Sequence, residues 1–136
     1  MNEISKSIKF VKSFKFIKLI RLLFNRAKLD PKRVVFAEAD QLAVLKAAQI
    51  VYEEGIAIPI LLGRVETIKE LMAEIEFVAD VLILDPKEEE ENDRKNRYAK
   101  VYWEQRKRRG VTLYSAQRLM RERNYFAAMM VNEGDA

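Results

Sequence analysis

Three short apolar runs alternate with two longer segments of helical periodicity in the first half of the chain. The runs Arg33 to Glu38, Ala57 to Leu62 and Val81 to Leu84 are rich in branched aliphatic residues, which is typical of buried strands. Apolar residues recur at helical spacing in the segments between them, from Leu42 to Val51 and from Glu66 to Glu76. This alternation predicts an α/β fold with three layers, αβα, around a parallel sheet.

Turn and capping residues punctuate these elements. Asp40 precedes the first helical segment and is expected to cap its N-terminus. Gly55 and Gly63 follow the first helix and the second strand, where each ends its element. Pro59 lies inside the second strand and lacks an amide hydrogen, so it cannot donate one of the hydrogen bonds of the sheet. The strand is therefore expected at an edge of the sheet, or Pro59 is expected at the start of the strand.

The second half of the chain reads as three helices. Since the last of them has no evident partner, Phe126 to Met130 are expected to lie uncovered. The first helix is expected to be capped by Asp85, to run to about Arg109 and to end at Gly110. Thr112 is expected to cap the second helix, from Leu113 to about Arg123, and Asn124 to cap the third, from Tyr125 to Asn132.

Charge divides the chain near Asp30 and Pro31. Residues 1–28 hold eight Lys or Arg and one acidic residue, a net charge of +7, whereas residues 29–136 hold 17 and 20, a net charge of −3. The cations from Lys6 to Arg21 recur every third residue and therefore spread around a helix instead of marking one face. Residues 1–28 are predicted to form a poorly ordered or loosely docked basic leader. The alternative is weak association with an anionic membrane surface.

Composition removes several kinds of chemistry. The chain has no cysteine and no histidine, which excludes disulfides, thiolate nucleophiles, imidazole metal ligands and a Ser-His-Asp triad. Neither the Walker loop nor the Gly-x-Gly-x-x-Gly turn, the two glycine-rich patterns that bind phosphate groups, occurs in the sequence. The net negative charge of residues 29–136 argues against binding to nucleic acid. The acidic run from Glu88 to Glu91 is interpreted as a solvated first helical turn. No catalytic residue and no metal site are predicted.

A basic cluster, Arg106-Lys107-Arg108-Arg109, stands just before Gly110. Cations are favoured at a helix C-terminus, which is one explanation of the cluster. The other is an anion site for a phosphate or a phosphorylated cofactor, because arginine binds phosphate through two parallel hydrogen bonds. Trp103 precedes the cluster by one turn and either packs in the core or stacks on a ligand ring.

Motifs in a fixed order from about Ala27 to the end of the chain carry a family resemblance. The sequence resembles the phosphotransacetylase family, especially the C-terminal phosphotransacetylase-like domain of long bacterial NADP-dependent malic enzymes, whereas residues 1–26 match no known pattern. The matching stretches are Pro31 to Glu38, Val44 to Gln49, Pro59 to Arg64, Tyr98-Ala99, Tyr102 to Thr112, Tyr125 to Val131 and Gly134 to Ala136.

The resemblance implies a domain that continues beyond this chain. Residues 29–136 correspond to the N-terminal part of a phosphotransacetylase or isocitrate-dehydrogenase-like domain, so the domain is expected to be incomplete here. The Ser-Arg pair and the Asp that the family assigns to acyl transfer fall outside the match, as do the malate- and NADP-binding domains of malic enzymes. Ala43 stands where the family often has arginine.

The resemblance also implies a ligand and a role. Arg106 matches the family's Glu-x-Arg-Lys motif, which implies that Arg106, Lys107 and Arg109 bind coenzyme A or acetyl-CoA. The expected function is a cytoplasmic regulatory and oligomerisation domain of a malic enzyme, inactive alone, which pairs with further copies or with the remainder of its parent enzyme. The alternative is part of a phosphate acetyltransferase, which moves acetyl between acetyl phosphate and coenzyme A. A second alternative places the activity in the basic leader, at a membrane surface.

Overall fold

Helices and three strands alternate along the chain in the computed structural model, which describes the backbone of residues 3–136 and the side chains of residues 15–136. Two single 3-10 turns, Glu89–Glu91 and Lys107–Arg109, flank the fourth helix. The elements are α1 (Glu3–Leu29), β1 (Lys32–Phe36), α2 (Leu42–Glu53), β2 (Ala57–Leu62), α3 (Val65–Glu74), β3 (Leu82–Leu84), α4 (Asn92–Arg106), α5 (Leu113–Leu119) and α6 (Arg123–Asn132).

The strands form a parallel sheet in the order β1-β2-β3, which confirms the predicted sheet. The edge position expected for Pro59 is wrong, because β2 is the central strand and Pro59 lies opposite Val34 of β1. β3 pairs with β2 only from Ile60 onward. Pro59 therefore precedes this second ladder, and its missing amide hydrogen interrupts no bond to β3.

Helices cover both faces of the sheet, which confirms the three-layer αβα arrangement. Leu61 of the central strand packs with Leu45 of α2 and Ile68 of α3 on one face. Its neighbours Ile60 and Leu62 point to the other face, as the alternation of a strand requires. There they join the second apolar cluster, whose other buried members come from β3, α4, the α5 region and α6: Leu84, Tyr98, Ala99, Ala116, Met120, Phe126, Met129 and Met130.

The last helix is packed, so the expectation that its apolar residues lie uncovered is wrong. Phe126, Met129 and Met130 are each at most 5% exposed. The ring of Phe126 meets that of Tyr98 of α4 edge to face, with 5.2 Å between the ring centroids. The packing partner thus comes from α4, 28 positions earlier in the chain, where no local pattern reveals it.

Two acidic residues expected to cap helices serve other purposes. Gln41, not Asp40, stands at the N-cap of α2, and the Asp40 carboxylate forms an ion pair with Arg123 at 2.7 Å. Asp85 does not begin a long helix, because its carboxylate accepts a hydrogen bond from the backbone amide of Lys87 at 2.9 Å and closes a turn. α4 therefore starts only at Asn92.

The capping of α5 is confirmed and that of α6 is wrong. Thr112 and Ser115 form a reciprocal capping box at the start of α5. α5 ends at Leu119, earlier than the predicted limit near Arg123. α6 begins at Arg123 with Glu122 at its N-cap, so Asn124 lies within the first helical turn.

Residues 3–29, which include most of the basic leader, form a single helix, α1. The side chains of Lys6, Lys9 and Lys12 lie outside the described residues. From Lys15 to Leu29 every side chain of α1 is exposed except those of Ile20 and Ala27, which are half-buried. Lys28 forms an ion pair with Glu54 beside the end of α2 at 2.9 Å.

Membrane contact of α1 stays a prediction, as does a cytoplasmic location. Of the helices that the structure describes, none is long and apolar enough to cross a membrane. The exposed residues of α1 mix cations with apolar side chains such as Leu22 and Phe24. Such a mixture fits adsorption to an anionic surface and equally fits contact with another protein.

Candidate functional site

The direction of the helices decides where the candidate residues lie. α6 starts beside the carboxyl end of β1, where Arg123 pairs with Asp40, and ends beside its amino end, where Arg33 donates to the Gly134 carbonyl at 2.7 Å. α4 does not run parallel to α6, since Arg97 and Tyr98 reach Asp135 after the end of α6, whereas the ring of Tyr102 meets that of Tyr125 near its start, with 5.9 Å between the centroids. Tyr102, one turn before Arg106, therefore lies beside the start of α6.

Arg106, Lys107 and Arg109 lie together at the C-terminal end of α4, and all three side chains are exposed. Lys107 is engaged, because its Nζ contacts the Glu104 carboxylate at 2.5 Å and lies 5.1 Å from the centroid of the Trp103 ring. Among the side chains of residues 15–136, none forms a hydrogen bond or ion pair with Arg106 or Arg109. Two guanidinium groups are thus available to an anion, beside a third cation held in place.

Trp103 belongs to the packing of this region. Its ring is half-buried and contacts the second apolar cluster, while Lys107 lies over the ring. The core alternative for Trp103 therefore fits the structure. A cation over an indole ring is a favourable contact, and here it holds the Lys107 ammonium at the cluster.

The partial negative charge at a helix C-terminus stabilises the cluster when no ligand is bound. Exposure to solvent also leaves the cations hydrated, so a single contact to an anion is weak and several must act together. Arginine side chains suit that task, because each presents two parallel N–H groups to a phosphate. The arrangement is suited to binding an anion.

Sequence reasoning missed a cleft at the carboxyl edge of the sheet. Its volume is ≈ 380 Å³, and it is lined by Glu38 after β1, Lys87 after β3 and residues 121–125 between α5 and α6. Ligands of α/β proteins commonly bind at this edge. The available signal was the charged residues directly after strand ends.

The charges of this cleft compensate one another. Arg123 is committed to Asp40, and the carboxylates of Glu38 and Glu122 face the remaining cations Lys87 and Arg121. Asp40 and Arg123 are both mostly buried, so their pair fastens the loop after β1 to α6. The described residues hold no group of three carboxylates arranged for a metal ion.

A hydrogen-bonded pair joins α4 to the segment after α6. The Tyr98 hydroxyl donates to the Asp135 carboxylate, which also pairs with Arg97. Burial, with a smaller contribution from Asp135, raises the pKa of Tyr98 well above its usual range. The hydrogen bond from Tyr98 in turn lowers the pKa of Asp135.

The raised pKa of Tyr98 makes the free energy of unfolding depend on pH above about 10. Above this value the unfolded chain releases the Tyr98 proton while the folded chain keeps it, so stability falls with rising pH. The slope for one group approaches about 1.4 kcal/mol per pH unit. Tyr98→Phe is expected to remove this contribution, which urea unfolding between pH 8 and pH 11 measures as a difference between the two proteins.

Asp135 gives the matching test in acid. Its lowered pKa contributes stability that is present above the unfolded value of about 4 and is lost as the pH falls through the folded value. Asp135→Asn is expected to show less loss of stability below about pH 4. Unfolding curves that run parallel to those of the unmodified protein, at both ends of the pH range, would contradict the Tyr98–Asp135 contact.

Comparison with known proteins gives consistent matches over most of the chain. The family model of phosphate acetyl/butaryl transferases matches residues 18–136. The chain is 36% identical over 118 residues to a phosphate acetyltransferase of Thermoanaerobacterium thermosaccharolyticum, covering 87% of this chain and 35% of that protein. It is 35% identical over 138 residues to an NADP-dependent malic enzyme of Salmonella typhimurium, covering 98% of this chain and 18% of that enzyme.

A solved structure agrees with these sequence matches. A phosphotransacetylase from Streptococcus pyogenes superposes with a TM-score of 0.69 at 31% identity, covering 86% of this chain and 36% of that one. The chain thus spans about a third of the acetyltransferase relative and less than a fifth of the malic enzyme. The family match begins at residue 18, inside α1, and so includes the whole stretch from about Ala27 onward that carries the resemblance.

Proposed function

Since this chain belongs to the phosphate acetyl/butaryl transferase family, we propose that it is a phosphotransacetylase-like domain of the malic enzyme type. In this role it binds acetyl-CoA, or coenzyme A, as a regulatory ligand and takes part in assembly of a larger enzyme. The ligand is held by Arg106, Lys107 and Arg109. Acetyl transfer by the 136-residue chain is not part of this function.

The extent of the malic enzyme match carries this choice. The malic enzyme of Salmonella typhimurium aligns with 98% of the chain, which leaves almost no residue unaligned and so includes α1. The alignment with the acetyltransferase of Thermoanaerobacterium thermosaccharolyticum covers 87%. A helix shared with a malic enzyme is what a domain of that enzyme would have.

The basic cluster supplies the chemistry for the ligand. Coenzyme A is a polyanion with several phosphate groups, and charge-assisted hydrogen bonds from arginine are the strongest contacts that a protein surface offers to them. Arg106 and Arg109 are exposed and uncommitted in the described part of the chain, while Lys107 is held over Trp103. Three cations within four residues let one ligand engage more than one charge.

Arg106→Ala is expected to weaken acetyl-CoA binding by about ten- to a hundredfold, because one charge-assisted contact contributes about 1.5–3 kcal/mol. Isothermal titration calorimetry of acetyl-CoA into the purified chain at about 0.15 M salt measures the change, since diffuse attraction is screened there beyond about 8 Å. The melting temperature is expected to stay unchanged, because the side chain is exposed and forms no hydrogen bond or ion pair within residues 15–136.

Arg108→Ala is the matched control. Arg108 is an exposed neighbour of equal charge in the adjoining 3-10 turn, and it is not among the residues proposed to hold the ligand. It is expected to bind acetyl-CoA as the unmodified chain does. If both variants lost the same affinity for acetyl-CoA, the cluster would act only by general electrostatic attraction. If Arg106→Ala kept full affinity, Arg106 would not be a ligand-binding residue.

A second candidate function is acetyl transfer, favoured by the 36% identity to a phosphate acetyltransferase. The chain corresponds to about a third of that enzyme, so the complete reaction would need further residues. Formation of acetyl-CoA from acetyl phosphate and coenzyme A, above a protein-free blank and absent in Arg106→Ala, would favour this candidate over the regulatory one.

Assembly is the other half of the proposal. Apolar side chains of α1 remain exposed, among them Leu22 at 67% and Leu29 at 85%. Exposed apolar groups of this size favour contact with a second copy or with the remainder of the parent enzyme. Size-exclusion chromatography with light scattering measures whether the chain associates with itself. If the chain were a monomer at all concentrations, assembly would be restricted to contact with the remainder of the parent enzyme.

A further inference from the structure

A pocket between α4 and α5 collects positive charge without acidic side chains. Its volume is ≈ 300 Å³. Lys95 reaches it from α4, Arg118 from α5, and Arg121 from the segment that follows α5. Three cations from three segments thus face one opening, about 16 Å along α4 from Arg106.

The other side chains that line the pocket are uncharged. They are amides and one phenol, groups that donate hydrogen bonds to phosphate oxygens: Asn92, Asn96, Gln117 and Tyr114. The cleft at the carboxyl edge differs, because Glu38 and Glu122 offset its cations. A pocket with three positive charges and no carboxylate in its lining is complementary to a multiply charged anion.

Lys95 is the most informative of these residues. Its side chain lies in α4 with only 8% of the residue exposed, and its Nζ donates to the Glu88 carbonyl at 2.8 Å. The ammonium has three donors, so two are left for another partner. Burial and then the charge of Arg121 lower the pKa of Lys95, while Glu91 and other nearby acidic groups oppose them. An anion in the pocket would offset both the burial and the repulsion.

We propose that this pocket binds a small phosphate-bearing anion of the diphosphate class, separately from the acetyl-CoA site at Arg106. Its volume is at the lower limit of ordinary ligand sites, which suits a diphosphate group or a small phosphoester better than a complete dinucleotide. Lys95 and the two arginines each contact phosphate oxygens, and the amides complete the coordination. The proposal goes beyond the function argued from the basic cluster and does not depend on it.

Calorimetric titration of inorganic pyrophosphate into the full chain tests the proposal. One binding site is expected, and Arg118→Ala and Arg121→Ala are each expected to weaken it by about tenfold. Both arginines are exposed, so these variants keep the fold, which a thermal melt verifies. Lys95→Gln is expected to lose more affinity, since it removes the buried charge.

Lys100→Ala is the matched control, because Lys100 is an exposed cation of α4 that does not line the pocket. Its affinity for pyrophosphate is expected to equal that of the unmodified chain. An equal loss in Lys100→Ala and Arg118→Ala would overturn the proposal in favour of diffuse attraction, and so would the absence of any binding. Loss in Arg106→Ala with full binding in Arg118→Ala would also overturn it, and would leave the acetyl-CoA proposal standing.

Discussion

Phe126→Ala is expected to lower the free energy of unfolding by about 3–5 kcal/mol, the largest effect of any substitution considered for this chain. Phe126 is completely buried in the second apolar cluster, and its ring meets Tyr98 edge to face. Removing the ring withdraws apolar surface from the core and leaves a cavity between α4 and α6 that these helices fill only in part. Urea unfolding followed by circular dichroism measures the loss.

Val131→Ala is the matched control on the same helix. Val131 is 62% exposed, so its truncation is expected to change stability by less than about 0.5 kcal/mol. Phe126→Leu keeps most of the apolar volume and is expected to lie between the two variants. If Phe126→Ala and Val131→Ala were equally stable, α6 would not be docked against α4, and the packing of the second cluster would be wrong.

Gly63→Ala is expected to destabilise the chain by about 2–4 kcal/mol, because backbone strain and crowding add. Gly63 follows β2 with φ of 154°, a conformation that residues with a side chain rarely adopt. A Cβ at this position would lie 3.0 Å from Cδ1 of Ile68 and 3.2 Å from Cγ of Asp40. The shift would also disturb the ion pair of Asp40 with Arg123, which fastens the carboxyl edge.

Gly55→Ala separates strain from crowding in the same measurement. Gly55 also has a positive φ, 66°, but within the described part of the chain a Cβ there would meet no atom within 4 Å beyond its chain neighbours. Its replacement is expected to cost about 1 kcal/mol from strain alone. A Gly63→Ala variant no less stable than Gly55→Ala would mean that the backbone at the end of β2 relaxes freely, contrary to the close contacts with Ile68 and Asp40.

Part of the candidate site was accessible from sequence and part was not. Arg106, Lys107 and Arg109 are consecutive or nearly so, and one helical end must bring them together whatever the rest of the fold does. The pocket of Lys95, Arg118 and Arg121 joins residues up to 26 positions apart, so it exists only when α4 and α5 pack. Its members have no shared spacing that a pattern search would detect.

The sequence by itself determined the local elements of this protein. The strand Ala57–Leu62 and the αβα layers follow from apolar periodicity, and Gly110 and Thr112 act locally to end one helix and begin the next. These features depend on neighbours within a few residues, where side-chain type alone decides the favoured backbone conformation. The motif order similarly placed the chain in its family.

The tertiary structure decided what each long-range partner does. Asp40 is a good capping residue in isolation, but Arg123 lies 83 positions later and binds its carboxylate. Pro59 suits an edge strand, yet the short pairing of β3 lets it lie in the central one. Phe126 had no visible partner until α4 placed Tyr98 against it. For Asp40 the free energy of a distant ion pair outweighs a local capping preference of about 1 kcal/mol. In all three cases the distant partner or strand reaches the residue only in the folded chain.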